Sequence, residues 1–261
     1  MTKPVLLIRA DGNEADAAAL AALGVPSVSE SYLAISAVGG ESGFGAAMKL
    51  LDAVSALGAT DWVVATSLNG LRYWAELAGK AKLSAALNAA ESRGVRFAAI
   101  GDATAAKYAE FGIDDVLVPS VSTAAGLADA LLALAPVHNG KNPKAVIPLG
   151  NLAMPTLTTA LDVAGWILQA GVVYETATVA ATPESVARLQ ANEFGAVLLR
   201  SPSAARALVE HAGAVSVPVI CGGPTTAETA RQLGLRVAAI ANGTSPEATA
   251  QAIFEVLQGG N

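Results

Sequence analysis

The hydrophobic pattern of the chain alternates between short apolar runs and longer amphipathic stretches. Runs of four apolar residues, such as residues 5–8, 62–65 and 196–199, are typical of buried strands. Ala-rich stretches with helical spacing separate them, and glycine or proline marks many of the junctions. Because strands alternate with helices along the whole chain, the pattern predicts an α/β fold with parallel sheets flanked by helices.

Two segments depart from this pattern, because apolar and polar residues alternate along residues 28–38 and 167–179. Such alternation predicts extended, partly exposed strands. The glycine-rich residues after the first segment break it, and the next helix is predicted to begin at Phe44. The two segments can be read as strands that cross between two lobes, but the pattern equally allows two consecutive domains.

An internal repeat favours two similar lobes. The segment from Gly101 to Thr104 resembles the segment from Gly223 to Thr226, and the elements that follow each match at the same offset. A second match relates residues 66–72 to residues 200–206, with Ser67 at the position of Ser201. Two copies of one α/β unit are therefore expected, and two such lobes facing one another would form a cleft.

Composition narrows the functional classes. The 261 residues are 53% hydrophobic and 15% charged, which excludes a disordered chain. A net charge of −6 without a Lys/Arg block disfavours nucleic acid and anionic membranes as partners. Cys221 is the single cysteine, and His138 and His211 are far apart, so no metal site is expected. The first apolar run is too short for a signal peptide, so we expect a soluble, cytoplasmic protein.

The turns after the predicted strands carry the candidate chemistry. Ligands bind at the carboxyl ends of parallel strands, where helix N-termini present free N–H groups. Hydroxyl side chains there are either helix caps or ligand contacts, and one turn alone does not separate these readings. Because the turns occur in matched pairs, they favour a polyanionic ligand. These turns contain Thr66, Ser67, Gly101, Thr104, Ser201, Gly223, Thr225 and Thr226.

Common catalytic motifs are missing. The chain has no dinucleotide fingerprint, no P-loop and no nucleophile elbow. Cys221 ends a predicted buried strand and is interpreted as a small core residue rather than a nucleophile. Tyr174 lies in the second alternating segment, where a phenol could hydrogen-bond a leaving oxygen or simply fill a sheet position.

In order along the chain, these segments resemble the uroporphyrinogen-III synthase family, which cyclises hydroxymethylbilane and inverts its fourth pyrrole ring. The resemblance covers essentially the whole chain, although no single motif is diagnostic. Tyr174 falls where the family has a tyrosine. The other segments that carry the resemblance are residues 6–12, 61–72, 99–105, 148–153, 201–204 and 222–227.

The resemblance implies two α/β lobes joined by a two-stranded linker. Lobe one would comprise residues 1–35 and 175–261, lobe two residues 40–166, and the linker strands residues 28–38 and 167–179. A monomer without metal or organic cofactor is implied, with the linear tetrapyrrole hydroxymethylbilane as its small-molecule substrate in the cleft. Tyr174 would assist departure of the substrate hydroxyl as water, before a spirocyclic intermediate forms. The implied substrate-binding residues are Thr66, Ser67, Asn69, Gly101, Thr104, Gly150, Ser201, Ser203, Gly223, Thr225 and Thr226.

Two departures from the family keep other functions open. Leu149 stands where an arginine is common, and Arg200 stands where a threonine is usual, so Arg200 could supply the missing charge. The main alternative is a catalytically impaired, two-lobed tetrapyrrole-binding or regulatory protein. A secreted solute-binding protein also has two α/β lobes, but the lack of a signal peptide disfavours it.

Overall fold

The structure is a computed structural model that describes residues 2–134, 142–243 and 245–259, so His138 lies outside the described residues. The first elements are β1 (Val5–Leu7), α1 (Asn13–Ala22), β2 (Ser27–Ser29), β3 (Leu33–Ala37), α2 (Gly40–Ser55), β4 (Trp62–Ala65), α3 (Leu68–Ala78), α4 (Lys80–Ser92), β5 (Arg96–Ala99), α5 (Asp102–Ala109) and β6 (Val116–Leu117). They are followed by α6 (Ala124–Leu134), β7 (Lys144–Gly150), α7 (Thr156–Val163), β8 (Ile167–Thr178), α8 (Ser185–Gln190), β9 (Ala196–Leu199), α9 (Pro202–Ala212), β10 (Val219–Cys221), α10 (Pro224–Gln232), β11 (Val237–Ile240) and α11 (Pro246–Gly259).

The chain divides into two units, each with its own sheet. Unit 1 comprises Met1–Ile35 with Thr176–Asn261, and unit 2 comprises Ser36–Glu175. Within the described residues, the unit 1 sheet has five parallel strands in the order β11-β10-β9-β1-β2. The other sheet, over the same described residues, has the order β3-β8-β7-β4-β5-β6, and its pairs from β8 to β6 are parallel. The predicted α/β fold with parallel sheets is confirmed, whereas the linker strands stay a prediction.

The central strands are apolar at every position because helices cover both faces of each sheet. In β4, Val63 and Ala65 pack into a core with α2, α3, α4 and α5, while Trp62 and Val64 pack on the opposite face with α6 and α7. Side chains alternate between the two faces of a strand, so a continuous apolar run buries both. Leu149 of β7 is partly buried against the second of these cores.

Two predicted boundaries in the first alternating segment were wrong. Residues 28–38 do not form one strand, because the chain leaves β2 and re-enters β3 around the buried Tyr32, whose hydroxyl lies 3.0 Å from Ser185 Oγ. Helix α2 begins at Gly40 rather than Phe44. A Cβ on Gly43 would lie 1.9 Å from the Val38 carbonyl oxygen, so this glycine allows the first turn of α2 to approach the chain before it.

Candidate functional site

The carboxyl edge of the unit 2 sheet brings Tyr174 and Ser67 together. Ser67 follows β4 and caps α3, where its Oγ accepts the Gly70 N–H at 3.0 Å. The Tyr174 hydroxyl, projecting from β8, lies 3.0 Å from the same Ser67 Oγ. Either hydroxyl can donate in this pair, because Ser67 Oγ accepts from Gly70 with one lone pair and keeps both a second lone pair and its own proton. When Ser67 donates to the Tyr174 oxygen, Tyr174 keeps its own proton for another acceptor.

Gly150 and Tyr73 fix the position of the Tyr174 ring. Gly150 is the register partner of Tyr174 across β7 and β8, and an irregularity in the pairing lies between Leu149 and Gly150. A Cβ on Gly150 would lie 2.4 Å from Cζ of Tyr174, so the ring occupies the space that any other residue would fill. On α3, Tyr73 stacks on the Tyr174 ring with centroids 5.8 Å apart and planes at 25°.

Gly150→Ala is therefore expected to displace the phenol. The added methyl group cannot coexist with the present ring position, so the chain must move Tyr174 or open the β7–β8 pairing. We expect a loss of about 1–3 kcal/mol in the free energy of unfolding, together with a large loss of turnover. Denaturant unfolding and steady-state kinetics would measure the two effects. Wild-type turnover in this variant would show that the ring position is not needed.

The other predicted residues of unit 2 lie on the same sheet edge. Thr66 is half-buried between β4 and the Ser67 cap. Asn69 lies in the first turn of α3, and its buried Oδ1 has no hydrogen-bond partner among the described residues. Gly101 precedes α5 as its N-cap, and the buried Thr104 donates its backbone N–H to the Gly101 carbonyl at 3.0 Å.

Unit 1 repeats these turns after β9 and β10. Ser201 caps α9 by accepting the Ala204 N–H at 3.2 Å, as Ser67 does in unit 2. Its Oγ also lies 2.8 Å from Ser203 Oγ, so the two predicted hydroxyls bond to one another. After β10, Gly223 is the N-cap of α10, Thr225 is exposed and Thr226 is buried. The matched caps and the buried threonine in each unit agree with the internal repeat.

The glycines that cap α5 and α10 differ in their surroundings. Both have extended backbone, with φ of −175° at Gly101 and −177° at Gly223. A Cβ on Gly101 would lie 3.2 Å from Ser122 Oγ, whereas nothing lies within 4 Å of one on Gly223. No neighbour within the described part of the chain thus requires a glycine at position 223.

We expect Gly223→Ala to fold with wild-type stability but to bind substrate more weakly. An extended backbone accepts alanine, so the free energy of unfolding should change by less than about 0.5 kcal/mol. If a ligand approaches the α10 N-terminus, the methyl group meets that ligand and raises KM. Calorimetry measures the stability and steady-state kinetics measure KM. An unchanged KM would show that Gly223 does not contact the substrate.

Arg200 is engaged inside unit 1, which corrects the suggestion that it supplies a missing substrate contact. Its Nε lies 3.1 Å from Asp16 Oδ2, and its Nη2 bonds Asp16 Oδ1. The Asp16 side chain is 1% exposed and that of Arg200 is 11% exposed. Arg200 therefore forms an ion pair with a buried carboxylate, and this pair stabilises the fold of unit 1.

Several other chemistries gain no support from the described residues. Burial raises the pKa of the Cys221 thiol to about 11, which keeps it protonated and a poor nucleophile. No group of three potential metal-ligating side chains is found among the residues that the structure describes. In the same residues, no helix is both long and apolar enough to cross a bilayer.

The sequence interpretation missed Tyr73 and Asp16. Tyr73 is a core-facing position of α3, and nothing in the sequence pairs it with the distant Tyr174. Asp16 had a detectable signal, because it lies four residues before Leu20 on the apolar face of α1, and both are buried. An acidic residue on such a face requires a partner, and that partner is Arg200.

Comparison with known proteins identifies the family. A family model described as uroporphyrinogen-III synthase HemD matches residues 14–251. A mutant uroporphyrinogen III synthase from the extremely thermophilic bacterium Thermus thermophilus is 20% identical over 98% of this chain and 99% of its own, with a TM-score of 0.60. The uroporphyrinogen-III synthetase from Helicobacter pylori is 16% identical over 98% and 100%, with a TM-score of 0.63. Comparison with curated sequences gives no match. The structures agree in fold, and because the family model spans most of the sequence, this chain belongs to the uroporphyrinogen-III synthase family.

Proposed function

We propose that this protein catalyses the uroporphyrinogen-III synthase reaction with Tyr174 as the proton donor to the departing hydroxyl. The family model supports the activity, a lyase step of haem biosynthesis. The observation that carries the role of Tyr174 is its hydroxyl contact with Ser67, 3.0 Å long, at the carboxyl edge of a parallel sheet. Gly150 and Tyr73 hold the phenol in that place, so it is organised before substrate arrives.

The substrate in this proposal is hydroxymethylbilane, a linear tetrapyrrole with carboxylate side chains. Its terminal C–O bond breaks as the pyrrole nitrogen lone pair moves toward the carbon, and Tyr174 donates a proton so that water leaves. The resulting azafulvene is attacked by the substituted carbon of the fourth ring to give a spirocyclic intermediate. That intermediate fragments and closes again with the ring inverted, and a proton lost on aromatisation restores the phenol.

Ser67 is the positioning residue for this step. Its Oγ is held by the Gly70 amide, so its hydroxyl proton can stabilise negative charge that develops on the Tyr174 oxygen. Removing the Ser67 hydroxyl should therefore make Tyr174 a weaker proton donor while the Tyr174 hydroxyl itself remains.

The substrate carboxylates are proposed to bind at helix N-termini that occur in both units. The N-termini of α3, α5, α9 and α10 follow the carboxyl ends of parallel strands, where the helix dipole stabilises anions. The residues proposed to contact substrate or to cap these helices are Thr66, Ser67, Asn69, Gly101, Thr104, Gly150, Ser201, Ser203, Gly223, Thr225 and Thr226. On the family resemblance, we further propose a cytoplasmic monomer that requires no cofactor.

Product analysis separates this proposal from the main alternative. Purified protein is incubated with hydroxymethylbilane, and the uroporphyrinogen isomers are separated after oxidation. Accumulation of type III supports the enzyme, whereas tetrapyrrole binding with only the symmetric type I product supports a catalytically impaired binding protein.

A further inference from the structure

Two arginines meet one buried carboxylate at the carboxyl edge of the unit 1 sheet. Arg9 follows β1 and Arg200 follows β9, and these strands are parallel neighbours. Both side chains reach Asp16 on α1. Arg200 bonds both carboxylate oxygens, while Arg9 Nη1 lies 3.9 Å from Oδ2. The two guanidinium groups therefore share one buried carboxylate, and Arg200 makes the shorter contacts with it.

The remaining contacts hold Arg9 in place without neutralising it. Asn13 is buried and fixes the Arg9 backbone from both sides, since its Oδ1 accepts the Arg9 N–H at 3.3 Å and its Nδ2 donates to the Arg9 carbonyl at 3.0 Å. The guanidinium lies over Gly12, where a Cβ would come within 3.4 Å of it. Its hydrogen bond to the Gly12 carbonyl is long, at 3.4 Å.

The exposure of the two arginines separates their roles. The Arg200 side chain is 11% exposed, whereas that of Arg9 is 38% exposed. A guanidinium carries five N–H donors, and the contacts of Arg9 to Gly12 and Asp16 are too long to use most of them. The planar guanidinium of Arg9 is thus partly solvated and held in position, and its paired N–H donors match the two oxygens of a carboxylate.

We propose that Arg9 binds a carboxylate side chain of the linear tetrapyrrole, with Asp16 as its positioning residue. This inference rests on the proposed function, because the substrate is the one proposed there. Arg9 lies at the same sheet edge as Ser201 and Gly223, which are proposed to bind that substrate. Asp16 orients the Arg9 guanidinium, and Arg200 holds the buried Asp16 carboxylate in place through bonds to both of its oxygens. The site favours a carboxylate over a cation, since Arg9 offers positive charge and donors but no acceptor.

The test compares Arg9→Gln and Arg9→Lys with Arg206→Gln. Arg206 is an exposed residue of α9 and serves as a matched control for the loss of one positive charge from unit 1. We expect Arg9→Gln to raise KM for hydroxymethylbilane about tenfold, as loss of one charge-assisted hydrogen bond would, with kcat within about twofold. Arg9→Lys should give an intermediate KM because it keeps the charge and loses the planar guanidinium.

The outcomes are distinguishable from one another. Wild-type KM in both Arg9 variants, or a fall in kcat alone, would overturn the role of Arg9 in binding. If Arg9→Gln does not fold, the KM of Arg9→Lys decides, since an unchanged value overturns the proposal and a raised one supports it. Failure of the wild-type protein to form the type III isomer is a separate result, because it rejects the proposed function before any variant is compared.

Discussion

Tyr174→Phe is expected to lower turnover about a hundredfold while the protein keeps its stability. A positioned proton donor contributes on the order of 10²–10⁴-fold to rate, and phenylalanine removes only the hydroxyl. The ring can still stack on Tyr73 and cover Gly150, so the free energy of unfolding should change by no more than about 1 kcal/mol. Steady-state kinetics and denaturant unfolding measure the two quantities on the same preparation.

Tyr108→Phe is the matched control for this prediction. Its hydroxyl donates to the Val63 carbonyl at 3.1 Å within the unit 2 core, away from the Ser67 contact. Loss of that bond should cost stability, on the order of 1 kcal/mol, and leave turnover unchanged. If Tyr174→Phe turned over substrate at the wild-type rate, the phenol would have no part in departure of the hydroxyl.

Arg200→Thr, which introduces the residue usual in the family, is expected to destabilise unit 1 by about 3 kcal/mol. Breaking a buried ion pair from one side leaves an uncompensated charge, and such changes cost about 3–5 kcal/mol. The lower end is expected because Arg9 Nη1 remains 3.9 Å from Asp16. Thermal or denaturant unfolding measures the loss directly.

The double variant Asp16→Asn with Arg200→Thr tests whether the loss comes from the ion pair. Without the carboxylate, no buried charge is left unpaired, so the double variant should be more stable than Arg200→Thr alone. Purely additive losses would instead mean that Arg200 stabilises the unit through its packing against Gly222, whose Cβ position lies 3.1 Å from Arg200 Cδ.

The elements that the sequence predicted best are those whose signal is local. The run Trp62–Ala65 is a strand buried on both faces, and its apolar residues alone indicated this. Ser67 and Ser201 cap the helices that follow their strands, as hydroxyls before helical segments indicate. The internal repeat predicted that these two turns correspond, and Ser67 and Ser201 do adopt the same cap geometry in their respective units.

What the sequence could not predict depends on contacts between distant segments. The sequence predicts Gly150 as a substrate contact but does not show that a Cβ there would meet the Tyr174 ring, because only the register of β7 against β8 reveals that. From the sequence, Arg200 is interpreted as a charge available to substrate, because no local pattern pairs it with the distant Asp16. The start of α2 was misplaced because a glycine required for close packing near Val38 has the same local signature as a helix breaker.

The isomer composition of the product tests the central claim most directly. Hydroxymethylbilane closes spontaneously to the symmetric type I uroporphyrinogen, so the uncatalysed reaction supplies its own baseline. Purified wild-type protein should convert the substrate to the type III isomer faster than type I accumulates, and Tyr174→Phe should shift the mixture back toward type I. A product that remains type I at every concentration of wild-type protein would contradict the assignment.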